Sequence, residues 1–586
     1  MPNWKTPLLA IALLKSVTLF AGEEQGRWWP VQKLPGAVVR TTNQEEFPEP
    51  KIAFQMMVQS VAGLAAKAVN EGKGDEMVWV NDGDGDLEKW YASLFTIHPE
   101  LEKRGTFKPW ELVDRYAKRG IVKGYILYHT DPSGADGSVN VATSLAGLMN
   151  GIIVSEALEK EAQAHGLKLL MDVRDKSEPW CFQTYKDQFY RRMVCFQDPR
   201  KPHVRDLAIA QKVFTSYGNT KLTPLVVAWV KPLSPILGWN GGDELAATDL
   251  TTCYGDIQTA TDWCLNLPVL MAGTERLHLP EMKRFDPRTI DWNDSRSAVA
   301  FIDTDGDNVQ WAEGNFFGIE SYWGNSERGK IPCGWSCCFA QLAQLCPEAI
   351  KYALETRSPN DWLIEWGGGY YYPDRFGLNR ADRWDLLAKQ AGRTWGLMKK
   401  TSTRVIGFNF TQIDSPDARK ACEVFARQTD GLLAILAFQY SAYEAGAGKT
   451  FWVHDRNGIE VPVISARYSI WEHANNRERA GTPAKVAREI RQTVENTEPG
   501  QLPRYDWVID HVWSYFKHAP GTDEDAENMP QENAAAHGGI RGYTPVTWCA
   551  ERLPASVRTV GPEELIWRIR MQHNPSQTRE VVNQFN

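Results

Sequence analysis

The chain of 586 residues has little excess charge of either sign: 65 Lys and Arg against 73 Asp and Glu leave -8. No basic stripe interrupts that balance, so a nucleic-acid binder, which has to neutralise phosphates, is not expected. None of the ten cysteines forms a C-x-x-C pair, and the densest group, Cys333, Cys337 and Cys338, has no His at zinc-finger spacing. No metal site is expected, and the thiols read as buried side chains or as one or two bridges. The eleven His include no H-x-x-x-H pair, which places metal-dependent polysaccharide deacetylation last among the activities considered. Past residue 22 no run approaches the roughly 18 apolar residues of a spanning helix, so no integral membrane segment is expected in the mature chain. The triple glycine at 367–369 is not followed by the Lys-Ser/Thr of a phosphate loop; no cofactor is expected.

What the chain does have is aromatics: 24 Trp, 19 Tyr and 22 Phe, in a composition that is 43% hydrophobic. Residues 1–22, with Lys5, an apolar run from Pro7 to Leu14 and Ala21-Gly22, read as a secretory signal peptide, the alternative being an ordinary amino-terminal helix. Export to the periplasm or beyond is the corresponding expectation.

Apolar runs alternate with helical patterns along the rest. QMMVQSVAGLAAKAV is helical in spacing and MVWVND (77–82) strand-like. A helix near 109–119 then leads into GYILYH (124–129), a helix over 141–162, LKLLMDV (167–173) and a strand-like TPLVVAWV (223–230). That alternation predicts an α/β domain over residues 28–282. After a polar stretch at 283–296, seven strand candidates follow: 298–303, 330–335, 361–366, 404–410, 432–438, 461–467 and 506–512. Seven or eight such units predict a (β/α) barrel-like domain over 290–575, with an open doubly wound sheet as the alternative. Segment 519–543 reads as a long surface loop.

In a (β/α) barrel the chemistry sits where the strands end at their carboxyl side. The first strand runs into Asp303-Thr-Asp305-Gly-Asp307-Asn308-Val-Gln310-Trp311. Two close carboxylates can separate their pKa values and serve as acid and base or nucleophile of a glycosidase. Asp307 with Gln310 also fits a helix capping box. Asp305 and Asp307 are the leading catalytic candidates, with Asp510 and Glu365, each at the end of another strand, in reserve. Trp311, Trp335, Tyr370, Tyr372 and Trp513 would stack on sugar faces. Asn308, Gln412, Arg467 and His511 would contact hydroxyls, and Gly367 and Gly369 would allow close backbone approach.

The stretch Gly367-x-Gly369-Tyr370-x-Tyr372-Pro373 resembles the signature of the GxGYxYP family of glycoside hydrolases. The likeness extends to Asp305-Gly-Asp307-Asn308-x-Gln310-Trp311, Gly334-Trp335-Ser336, Ser465-Ala-Arg467-Tyr468 and Gly481-Thr-Pro483 in the second half. In the first half it takes in Asn140-Val-Ala142-Thr143, Leu237-Gly238-Trp239 and Asp262-Trp263. Cys337-Cys338 and Glu365-Trp366 depart from the family pattern. The resemblance implies a secreted bacterial protein with an α/β amino-terminal domain, a barrel-like carboxyl-terminal domain and a carbohydrate substrate. A glycoside hydrolase acting on a polysaccharide or oligosaccharide is therefore the expected function. The alternative is a glycan-binding or scaffold protein without turnover.

Overall fold

The structure, a computed structural model, describes residues 17–18, 27–83, 85–272, 274, 278–280, 284–304, 308–439, 446–474, 476–497, 501–519, 524–527, 535 and 538–584. Of the expected leader only Val17–Thr18 is among them, paired with His278–Leu279.

The amino-terminal half builds three small parallel sheets. In the first, Ala37–Asn43 lies between Glu76–Asn81 and Glu102–Phe107; in the second, Gly124–Tyr128 lies between Gly151–Ser155 and Leu169–Asp172. The third runs Ile257–Thr259, Pro235–Gly238, Val194–Phe196, Thr215–Ser216. The helix Lys51–Asn70 packs on strands of the first two sheets and on helix Arg205–Ala210. It is long and apolar enough to cross a membrane, against the expectation drawn from the run lengths, but it is a core helix, buried from Ala53 to Val69 except at Gln55. A helix apolar all round needs protein on every side.

Two expected elements are corrected. Thr223–Trp229 is a helix, not a strand: Pro224 sits in its first turn, and Val226 and Val227 are buried while Leu225 is 62% exposed. The helix expected over 141–162 stops at Met149, because Asn150 takes φ 57° and the β-branched Gly151–Ser155 then pairs with Gly124–Tyr128.

The carboxyl-terminal half contributes β1 (Ser297–Thr304), β2 (Cys333–Cys337), β3 (Asp361–Trp366), β4 (Val405–Phe410), β5 (Ala434–Gln439), β6 (Thr450–His454), β7 (Glu460–Ser465), β8 (Tyr468–Ile470), β9 (Ala480–Gly481), β10 (Tyr505–His511) and β11 (Val557–Thr559). Their order is β6-β7-β5-β4-β3-β2-β1-β10-β8-β9, with β11 also on β1; all pairs are parallel except β6-β7. The result is a curled, mixed half-barrel sheet. Its two ends come together at one segment: the Ala466 N–H donates to Ala437 O of β5, and the Arg467 N–H donates to Trp507 O of β10. In the expected loop 519–543 the described part includes a short strand, Asp525–Glu527, paired with Phe516–His518.

Side-chain alternation along the strands separates two faces. Inward go Ala300 and Ile302 of β1, Ile364 and Trp366 of β3, Leu436 and Phe438 of β5 and Trp507 and Ile509 of β10, one core stoppered by Leu565, Ile566 and Trp567 of helix Pro562–His573. Outward go Phe301, Trp335 and Val508, under helices shared with the amino-terminal half. All ten cysteines are buried and unbridged.

Candidate active site at the carboxyl ends of the strands

Thr304 of β1 and His511 of β10 are register partners at the carboxyl end of the sheet. His511 lies half-buried, with Nδ1 2.8 Å from Ser514 Oγ and its ring stacked on Trp471 at 3.8 Å and 6°; Trp471 in turn stacks on Phe438 at 5.8 Å and 4°. Burial lowers the His511 pKa to about 3. The imidazole is therefore neutral at ordinary pH and acts here as a hydrogen-bonding group. A cavity of about 520 Å³ lies between the ends of β4 and β5 and the segment entering β9, lined by Gln412, Asp414, Gln439, Ala447, Lys449 and Arg477–Ala480, among others.

Asp305 and Asp307, the leading candidates, lie outside the described residues. Asn308 just beyond them caps helix Val309–Gly314, its side chain accepting from the Trp311 N–H at 3.3 Å. Gln310 does not complete a capping box; its Oε1 accepts from the Trp263 N–H at 2.8 Å, tying this helix to the amino-terminal half.

The reserve carboxylates do not reach the mouth. Asp510 shares its outward face with Val508, and Glu365 shares its own with Leu363; the two acids are 1% exposed each. Asp510 pairs in register with Asp303, itself 2% exposed. Burial pushes the Asp303 carboxyl up to about 8, and burial together with the neighbouring Asp303 pushes Asp510 well above the usual range. Two contacting acids in an apolar layer hold a proton between them. The sign of the resulting pH dependence follows. The unfolded chain gives up these protons near pH 4, whereas the folded chain keeps them, so the pair stabilises fully at low pH and progressively less as pH rises towards 8. Chemical denaturation of the native chain is expected to show stability falling from pH 5 to pH 8, and Asp303→Asn with Asp510→Asn to flatten part of that slope by about 2 kcal/mol.

Glu365 has a structural task. Its carboxylate accepts from the N–H groups of Ala340 at 2.9 Å and Gly368 at 3.1 Å, and burial pushes its pKa up to about 8. Glu365→Gln keeps one acceptor oxygen for two donors, so a stability loss of about 1–3 kcal/mol is expected in thermal or urea unfolding.

The turn that Glu365 holds is the glycine-tyrosine loop, which docks on the amino-terminal half. Tyr370 and Gln258 exchange both backbone hydrogen bonds, at 2.9 and 3.1 Å, and the Tyr370 hydroxyl donates to Glu244 at 2.6 Å. The Tyr370 ring lies near-parallel to Trp239 at 6.1 Å. Downstream, the Tyr372 N–H donates to Thr252 Oγ1, Arg375 pairs with Asp249, and the Gly377 N–H donates to Thr252 O at 2.8 Å. Gly367 and Gly369 take φ 69° and 127° to make that approach. Tyr370, Tyr371 and Tyr372 are at most 3% exposed, so their rings meet protein rather than solvent.

Trp335 is equally enclosed, its Nε1 donating to Asp361 Oδ1 at 2.9 Å and its ring stacked on Tyr543 at 5.5 Å. Trp311 packs on Phe316, Tyr322 and Trp513, while Trp513 is half-buried beneath the Arg541 guanidinium. Arg467 donates to Ala447 O at 3.2 Å, close to the cavity that Gln412 lines. The structure thus puts Gln412 in the cavity lining and Arg467 against Ala447 and Asp506, holds His511 at the carboxyl end of β10 outside that lining, and sends Trp335, Tyr370, Tyr372, Glu365 and Asp510 into packed layers. Lys449, Arg477, Glu478 and Arg479 are the mouth residues the sequence reading passed over, since they stand in irregular chain with no pattern to mark them.

The fold and this strand-end site define an α/β protein with a curled carboxyl-terminal sheet. Residues 295–518 match the GxGYxYP putative glycoside hydrolase C-terminal domain, and residues 122–189 match the GxGYxYP_N second domain, so the chain carries both of these domains. A solved structure of a putative hydrolase from Bacteroides thetaiotaomicron VPI-5482 is similar at 21% identity and a TM-score of 0.75, over 95% of this chain and 99% of that one. No curated protein sequence matches the chain.

Proposed function

We propose that the protein is a glycoside hydrolase cleaving a polysaccharide or oligosaccharide at the carboxyl end of the curled sheet, read as a seven-stranded barrel in which 460–470 serves as one bent strand. Asp305 and Asp307 supply the carboxylate chemistry, and His511, Gln412 and Arg467 orient hydroxyls. The observation that carries this reading is the meeting of the family match over 295–518 with an open polar cavity at the strand ends. Asp303, Asp510 and Glu365 are committed to the scaffold and Asp414 is paired with Lys449; the choice of Asp305 and Asp307 is supported by their place directly after Thr304, the register partner of His511. The test is release of reducing sugar from a glycan panel by the native chain and by Asp305→Asn and Asp307→Asn. Product from the native chain alone supports the assignment; full activity in both variants sinks it. A second reading, glycan binding without turnover, rests on the same polar cavity, and binding without product on long incubation would select it.

A further inference from the structure

Five charged side chains line the mouth cavity, and four of them are paired. Asp414 pairs with Lys449, and Glu478 pairs with Arg479 at 2.7 Å. The fifth, Arg477, is half-buried, and its guanidinium has no hydrogen bond or ion pair among the described residues, only its backbone being engaged. Two amides flank the same space. The Gln412 side chain has no protein partner among the described residues, and Gln439 uses Oε1 to accept from the Ile413 N–H, leaving its Nε2 donor. Among the described residues the lining therefore carries one uncompensated positive charge with neutral donors beside it. A half-buried guanidinium without a partner forfeits much of its hydration, and its five N–H donors in a planar fork match a carboxylate or sulfate bidentately.

We propose that this cavity is a subsite for an anionic group on the glycan, a uronate carboxylate or a sulfate ester, with Arg477 as its charge partner and Gln412 and Gln439 as its hydrogen-bond donors. The inference rests on the glycan reading above and names its substrate class as acidic. The surrounding ion pairs serve two purposes: they hold the cavity wall in place, and they keep Lys449 and Arg479 from acting as alternative anion sites.

Isothermal titration of the full chain carrying Asp305→Asn, which separates binding from turnover, tests it. The probes are unsulfated chondroitin tetrasaccharide, its 4-sulfated form and neutral chitotetraose, at low and moderate salt. Either acidic probe is expected to bind at least about tenfold more tightly than the neutral one, with a preference that shrinks as salt rises. Adding Arg477→Gln should abolish the preference and Arg477→Lys keep part of it, with the melting temperature unchanged. A carboxylate-only probe that suffices identifies a uronate; a requirement for the sulfated form identifies a sulfate ester. Equal affinity for the neutral probe, no binding by any probe, or an Arg477→Gln variant that keeps the preference overturns the proposal. Charge-selective binding with no product from the native chain would leave the subsite standing and remove the hydrolase reading.

Discussion

Replacing Asp305 by Asn, and separately Asp307 by Asn, is expected to lower glycan turnover by about 10²–10⁴-fold, the range spanned by loss of a positioned general acid or base. β1 ends at Thr304 and the next helix begins at Val309 with Asn308 as its cap. Helix capping is thus already provided by a neighbour, and the two carboxylates are left over from that task. The melting temperature should consequently stay within a degree or two of the native value. If the acids were structural instead, unfolding would move and turnover would fall only in proportion. The pH profile separates the two residues further. Loss of the general acid removes the alkaline limb of a bell-shaped profile, while loss of the base or nucleophile removes the acidic limb.

Gly369→Ala is expected to be strongly destabilising, costing about 3 kcal/mol or more. An added Cβ would stand 2.2 Å from Ile257 Cγ2 and 2.5 Å from Gln341 Nε2, at a backbone φ of 127°. Ile257 lies on a strand of the amino-terminal half and Gln341 in a carboxyl-terminal helix, so neither can retreat without loosening the docking. Gly392 is the control: it lies within helix Arg383–Lys400 with open space around its Cα, and Gly392→Ala should stabilise by about 0.5–1 kcal/mol. Urea unfolding of both variants checks the contrast. A Gly369→Ala protein as stable as the native chain would mean that the loop is not held by the contacts described.

The alternation of strands and helices was legible because parallel strands covered on both faces are apolar along their length, and the seven carboxyl-terminal candidates fall on seven of the eleven strands described there. The curl was not legible, since it depends on Ala466 and Arg467 carrying one segment from β5 to β10, a matter of long-range pairing that no local pattern records. For the site, reading the residues that follow each strand reached Gln412, which lines the cavity, and His511, which closes β10 at the same end of the sheet. It misassigned direction at Asp510, Glu365 and Trp335, because strand parity was not tracked: their side chains fall on the outer face, one residue out of phase with His511, Trp366 and Ser336. Tyr370 and Tyr372 looked like a sugar platform because a glycine-rich aromatic loop exposes its rings only if nothing docks there, and the docking partner, Gln258, is 112 positions away in the chain.

The helix Pro562–His573, which fills the amino-terminal end of the curled sheet with Leu565, Ile566 and Trp567, sets the order of events during synthesis. β1 emerges from the ribosome more than 200 residues before its partners β10 and β11. Until helix Pro562–His573 is released, Ala300 and Ile302 lack the contact of Leu565, Ile566 and Trp567 that completes their core. The core of the carboxyl-terminal sheet is therefore closed only after that helix has emerged, with its apolar lining open in the interval. A chain stopped before Pro562 would be expected to remain in that open state.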